Sequence, residues 1–113
     1  MTLALLRSDY FNVDFNRQYR WYLQEADEKT AERYFAAAVS TLKELAQQPG
    51  LGRRRTFRHP DLKDFRSFRV RPPFSVHLIF YRATETELIA ERIMHGSRDL
   101  PRRLVEPPDS IAG

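Results

Sequence analysis

Hydrophobic positions divide the 113-residue chain into two halves with different periods. The first half repeats every three or four residues, the spacing of one helix face. Phe11, Phe15, Tyr19 and Tyr22 form one stripe with Trp21 beside it, and Ser8 or Asp9 stands where an N-cap is needed. This helix is predicted to end near residues 24–26. Asp27 offers a second cap, and Glu28 places negative charge in the first turn. Ala31, Tyr34, Phe35, Ala38, Val39, Leu42, Leu45 and Ala46 then extend a single apolar stripe until Pro49-Gly50 stops the helix. Two such helices, joined by a very short loop, make a hairpin whose apolar faces require a cover.

The second half supplies that cover as strands. Residues 53–58 are a poor strand, and His59-Pro60-Asp61 reads as a turn. Residues 65–71 alternate, with Phe68 and Val70 on one side and Arg69 and Arg71 on the other, while Arg66 shares the Phe68 side. Pro72-Pro73 interrupts the ladder. Residues 74–82 are apolar on both faces, as in a central strand, and residues 88–95 follow with Ile89 and Ile93 expected on one face. Residues 2–6 form a short apolar run that reads as a first strand. The predicted order is β-α-α-β-β-β. This is an α+β, two-layer domain with a helical hairpin packed on a small, mainly antiparallel sheet. Residues 1–104 are read as the domain and residues 105–113, with Pro107-Pro108, as a flexible C-terminal tail.

Composition narrows the class. The chain holds eight Phe, five Tyr and one Trp, large rings that let a small domain bury much apolar area. It has no cysteine, so neither disulfides nor thiolate metal sites arise. No stretch approaches the roughly 20 apolar residues of a membrane span, and the N-terminal apolar run is too short for a signal peptide. A cytoplasmic location without membrane association is the expectation. The net charge of +4 is concentrated: residues 53–82 carry nine Arg or Lys against Asp61 and Asp64. A polyanion or an acidic partner is a plausible target for that region, and a solvated basic face is the plain alternative.

Candidate chemistry is sparse. There is no glycine-rich phosphate loop and no nucleophile motif. His59, His77 and His95 sit at no metal-ligand spacing, so no metal and no cofactor are expected. His77, inside an apolar strand, reads as packed beneath the helices. His95 ends a strand and is followed by Gly96, Arg98 and Asp99, which suits either a functional edge or a local cap. Arg66, Arg69 and Arg71 form a row able to bind phosphates or to pair with helix carboxylates.

Four segments taken together resemble the RelE/ParE toxin superfamily. They are Leu45-Ala46-Gln47-Gln48-Pro49-Gly50-Leu51-Gly52 ending the hairpin, Phe65-Arg66-Ser67-Phe68-Arg69-Val70, His77-Leu78-Ile79-Phe80-Tyr81-Arg82, and Arg92-Ile93-Met94-His95-Gly96-Ser97-Arg98-Asp99-Leu100. The similarity spans about residues 3–104. It implies the toxin half of a bacterial type II toxin–antitoxin pair, neutralised by a cognate antitoxin that covers apolar grooves and the sheet. The ending favours the ParE branch, whose members bind DNA gyrase without being nucleases. On that reading no catalytic residue is assigned, and His95, Arg98, Asp99 and Leu100 are the target-binding residues. The alternative is a RelE-like ribosome-dependent mRNA endonuclease using Arg66, Arg69 and His95. For the antitoxin, the groove beside the hairpin and the basic strands are the expected contacts. Removing residues 98–104 is expected to abolish toxicity while leaving a folded domain.

Overall fold

The computed structural model describes residues 2–96 and 100–108. Its elements are β1 (Ala4–Arg7), α1 (Asp9–Glu25), α2 (Glu28–Gln47), β2 (Arg53–Arg54), β3 (Arg66–Arg69), β4 (His77–Ala83), β5 (Glu87–His95) and α3 (Leu100–Val105). Both helix starts use the expected caps. The Ser8 hydroxyl accepts from the Phe11 N–H at 3.0 Å and donates to the Glu91 carbonyl at 2.8 Å, so one side chain starts α1 and ties it to β5. Asp27 accepts from the Thr30 N–H at 2.7 Å. Proline follows α2 at position 49 and opens a single tight turn, Pro49–Leu51.

The sheet order is β1-β5-β4-β3-β2. β1 lies parallel to β5, and the other three pairs are antiparallel. The hairpin covers one face. Phe11 from α1 and Tyr34, Ala38, Leu42 and Leu45 from α2 pack on Val70, Ile79, Tyr81, Leu88, Ala90 and Ile93. Thr41 sits fully buried in the apolar stripe because it has local work: its hydroxyl donates to the Ala37 carbonyl at 2.7 Å and accepts from the Arg71 N–H at 3.2 Å. The Tyr81 hydroxyl donates to the Pro49 carbonyl at 2.6 Å and accepts from the Gly52 N–H at 2.8 Å. A Cβ at position 52 would stand 2.3 Å from that oxygen, so the close approach requires glycine.

The structure departs from the sequence reading in three places. First, β2 pairs through only two residues, and the chain after it turns inward instead of continuing as a strand to residue 58. Second, the register slips at Glu91, because Tyr81 faces Ala90 while Phe80 faces Arg92. That one-residue bulge inverts the phase of β5, so Ile93 joins Leu88 and Ala90 under the helices and Ile89 falls on the opposite side. Third, the opposite face is not bare. Leu62, Phe65, Phe80, Met94 and Leu104 form a second, smaller core, with Phe57 and Val105 against it. Leu104 belongs to α3, which simple alternation did not foresee.

Asp14 and Arg92 join these parts. Both are buried, and their side chains are 6% and 4% exposed. Arg92 Nε and Nη2 donate to the Asp14 carboxylate at 2.7 and 3.0 Å, and the Ile93 N–H donates to it at 3.2 Å. β1 ends its pairing at Ala90, so Asp14 supplies the partner that the free edge of β5 lacks beyond that point. Arg92 Nη1 also donates toward the carbonyls of Arg103, Leu104 and Glu106 at 2.9, 3.1 and 2.9 Å. Removing residues 98–104 would strip Leu104 from the second core and leave this guanidinium short of partners. The expectation that the segment is dispensable for folding is therefore corrected.

Truncating one member of a buried pair strands the other charge, which costs about 3–5 kcal/mol. Asp14→Ala is expected to lose stability of that order in urea unfolding. Arg92→Lys keeps the charge but not the fork, and it should lose less while lowering amide protection across α3. Unchanged unfolding midpoints would contradict this account.

Candidate functional site

The exit of β5 gathers most of the chemistry. His95 is exposed there, and it sits directly across from His77 in the β4–β5 register. The two rings are 6.1 Å apart and nearly perpendicular. His77 is buried, and its Nε2 shares a 2.9 Å hydrogen bond with the Tyr22 hydroxyl. Burial, with the neighbouring His95 as a smaller influence, pushes His77 down to about 4. Tyr34 meets its ring edge-on at 5.1 Å and that of Phe74 edge-on at 5.7 Å. The Tyr34 hydroxyl is buried without a hydrogen-bond partner, and desolvation, then Tyr22 and Asp14, raise its pKa. A cavity of about 170 Å³ opens here, bounded by Asp14, Arg17, His77, Arg92, His95 and Arg103.

Of the target-contact residues expected from the sequence, His95 lies on this rim. Arg98 and Asp99 fall outside the described residues, and of Leu100 only the backbone, the first position of α3, is described. The alternative trio is not brought together. Arg66 lies opposite Tyr81 and His95 opposite His77, so they stand four residues apart along β4, about 13 Å, and two strands apart, about 10 Å. Arg69 lies opposite Leu78, which faces Met94, so it emerges on the other face from His95. Arg66 donates to the Gly52 carbonyl and Arg69 to the Ser75 carbonyl, each at 2.8 Å. Arg71 pairs with Glu44 and lies over Phe68. His59 is a local turn residue whose Nδ1 accepts from the Asp61 N–H at 3.2 Å.

Tyr34, Tyr22, Asp14 and Arg92 line or support this corner, and the sequence reading did not single out any of them as site residues. Asp14 carries the detectable signal: it falls three residues after Phe11 and one before Phe15, a charge at a core position. Arg92 repeats the anomaly inside an apolar strand. Among the described residues no cluster of three or more His, Cys, Asp or Glu is placed to hold a metal ion. Among the described residues no helix is long and apolar enough to cross a membrane.

This architecture, a capped helical hairpin on a five-stranded sheet with a polar corner where β5 leaves it, is a small two-layer α+β domain. The family model described as "ParE toxin of type II toxin-antitoxin system, parDE" matches residues 5–100, and the chain belongs to that family. Among solved structures, a chain of a chromosomal ParDE toxin–antitoxin system from P. aeruginosa superposes with a TM-score of 0.68 at 18% identity. The match covers 85% of this chain and 98% of that one, and it supports the fold. Comparison with curated protein sequences yields no match.

His77 gives this corner a pH signature. In the unfolded chain it takes a proton near 6.5, whereas folded His77 resists protonation until about 4. The unfolded state therefore binds more protons between those values, and stability falls as pH falls through that window, by on the order of 3 kcal/mol. His77→Gln is expected to flatten this part of the urea-midpoint profile relative to the parent. Parallel profiles would show that His77 is not held neutral.

Proposed function

We propose that this chain arrests growth by binding DNA gyrase, without chemistry of its own, and that a cognate antitoxin neutralises it. The match to the ParE family over residues 5–100 carries the reading. The separation of Arg66, Arg69 and His95 supports it over mRNA cleavage, because general acid–base work on a phosphate needs those groups within hydrogen-bond reach of one another's substrate atoms. The target contact is His95 together with Arg98, Asp99 and Leu100. The cytoplasm is the compartment in which such a target is met.

The purified chain is expected to inhibit gyrase supercoiling and to raise the fraction of cleaved DNA. His95→Ala and Arg98→Ala should each weaken this by about tenfold or more, the loss of one interface anchor. Unchanged supercoiling at excess toxin, or transcripts cut in the A site during translation, would sink the proposal.

For the antitoxin, the proposed seat is the groove along the outside of the hairpin. Phe11, Phe15, Phe35, Ala38, Val39 and Leu42 line a hollow of about 120 Å³. Phe35 is 45% exposed although it lies on the apolar stripe, and its ring meets Phe15 edge-on at 5.6 Å. An amphipathic helix that fills this hollow would cover it. Phe35→Asp is expected to leave folding and gyrase inhibition intact while weakening antitoxin association by about tenfold. Equal antitoxin affinity for both proteins would move the seat elsewhere.

A further inference from the structure

The basic stretch of residues 53–82 lies outside the proposed gyrase contact. β2 covers only the start of β3: it pairs Arg53 with Ser67 and Arg54 with Arg66. Where β2 stops, a groove of about 490 Å³ opens along β3, walled by Arg53, Arg55, Arg69 and Arg71 with Ser67 and Phe68. No carboxylate is among its described lining residues, and the one acidic group paired to a lining arginine is Glu44, bound to Arg71 at the rim. Arg53, Arg55 and Arg69 have no ion-pair partner among the described residues.

Arg55 is the unusual member. Its guanidinium lies over the rings of Phe57 and Phe80, at 5.6 and 5.7 Å from their centres, and its Nε is buried without a hydrogen-bond partner. A guanidinium fixed by two rings keeps its fork aimed with little freedom left to lose on binding. Desolvation and the neighbouring Arg53 both lower its pKa, which marks a positive charge held without compensation. Arg53 and Arg55 sit two residues apart on an extended segment, about 6.6 Å, a spacing that suits neighbouring phosphates on one strand. Outside the groove, Arg54, Arg58 and Lys63 are also exposed. A single acidic side chain needs one such contact, whereas three arginines without ion-pair partners along one groove, Arg53, Arg55 and Arg69, fit a repeating anion.

We propose that this groove binds the phosphodiester backbone of a nucleic acid, with Arg53, Arg55 and Arg69 each neutralising a phosphate. The site is separate from the His95 corner, and its test does not involve gyrase.

Fluorescence anisotropy of the full chain with a labelled mixed-sequence duplex DNA, a labelled single-stranded RNA and a labelled poly-glutamate peptide tests this. Three neutralised phosphates give a slope of about −2.7 in log affinity against log salt for duplex DNA, an affinity loss of about 40-fold between roughly 50 and 200 mM. The variant Arg53→Ala/Arg55→Ala should reduce that slope by about 1.8, whereas Arg20→Ala/Arg33→Ala, which removes equal charge from the hairpin, should leave it unchanged. Arg53→Ala alone leaves the Arg55 stack in place and should reduce the slope by about 0.9, so the test survives if the double variant does not fold. Binding of either nucleic acid with this arginine dependence supports the proposal, and the tighter of the two identifies the source. The proposal is overturned by a slope that does not depend on Arg53, by an absence of binding to both nucleic acids, or by tighter binding of poly-glutamate.

Discussion

The buried pair of Asp14 and Arg92 is the constraint on which the other parts depend. Two opposite charges away from water are stable only if their remaining donors and acceptors are met. Here the carboxylate takes two bonds from Arg92 and one from the Ile93 N–H, and the guanidinium spends its third nitrogen on carbonyls at the end of α3. One interaction therefore fixes the position of α1 against β5, closes the unpaired edge of β5, and seats the C-terminal helix. The bulge at Glu91 is part of the same arrangement. It moves Arg92 to the face opposite Leu88 and Ala90 and brings Ile93 into their place, so the strand keeps its apolar residues under the hairpin and the charge off that face.

That geometry also separates two kinds of surface. The polar corner at His95 and the hollow along the hairpin lie on the helix-covered side, where a short wall of aromatic rings around His77 excludes water. The arginine groove lies at the other edge of the sheet, where β2 is too short to cover β3. The three serve different chemistries: a mixed-charge rim, an apolar hollow and a row of uncompensated cations. A small domain can present all three because the sheet keeps them on different edges and faces.

Much of the fold was legible in the sequence. The caps at Ser8 and Asp27, the stripes of both helices, the break at Pro49 and the central character of β4 all follow from local rules that the structure obeys. What escaped was non-local. The phase of β5 depends on a bulge opposite Phe80 and Tyr81, and alternation cannot show where a strand skips a residue. Past β2 the chain leaves the sheet so that Phe57 and Leu62 enter a second core, which Leu104 of α3 completes from a distant part of the sequence. At the candidate site, His95 was visible because a histidine before a glycine at a strand end is conspicuous. Tyr34 was read only as stripe, since a tyrosine and a phenylalanine look alike in a periodicity. Arg66, Arg69 and His95 looked compatible as a set until the register placed them on different faces and rows.

The pairing of β1 with β5 has a consequence for how the protein comes into being. Residues 4–7 hydrogen-bond to residues 87–90, and Asp14 awaits Arg92 from the same late strand. During synthesis the N-terminal strand and the hairpin emerge first, and their partners follow only after β2, β3 and β4. Such contacts between distant residues form late, because loop closure must precede any gain from them. A chain that stops before residue 87 holds its helices without β5, and β1 then has no strand to pair with.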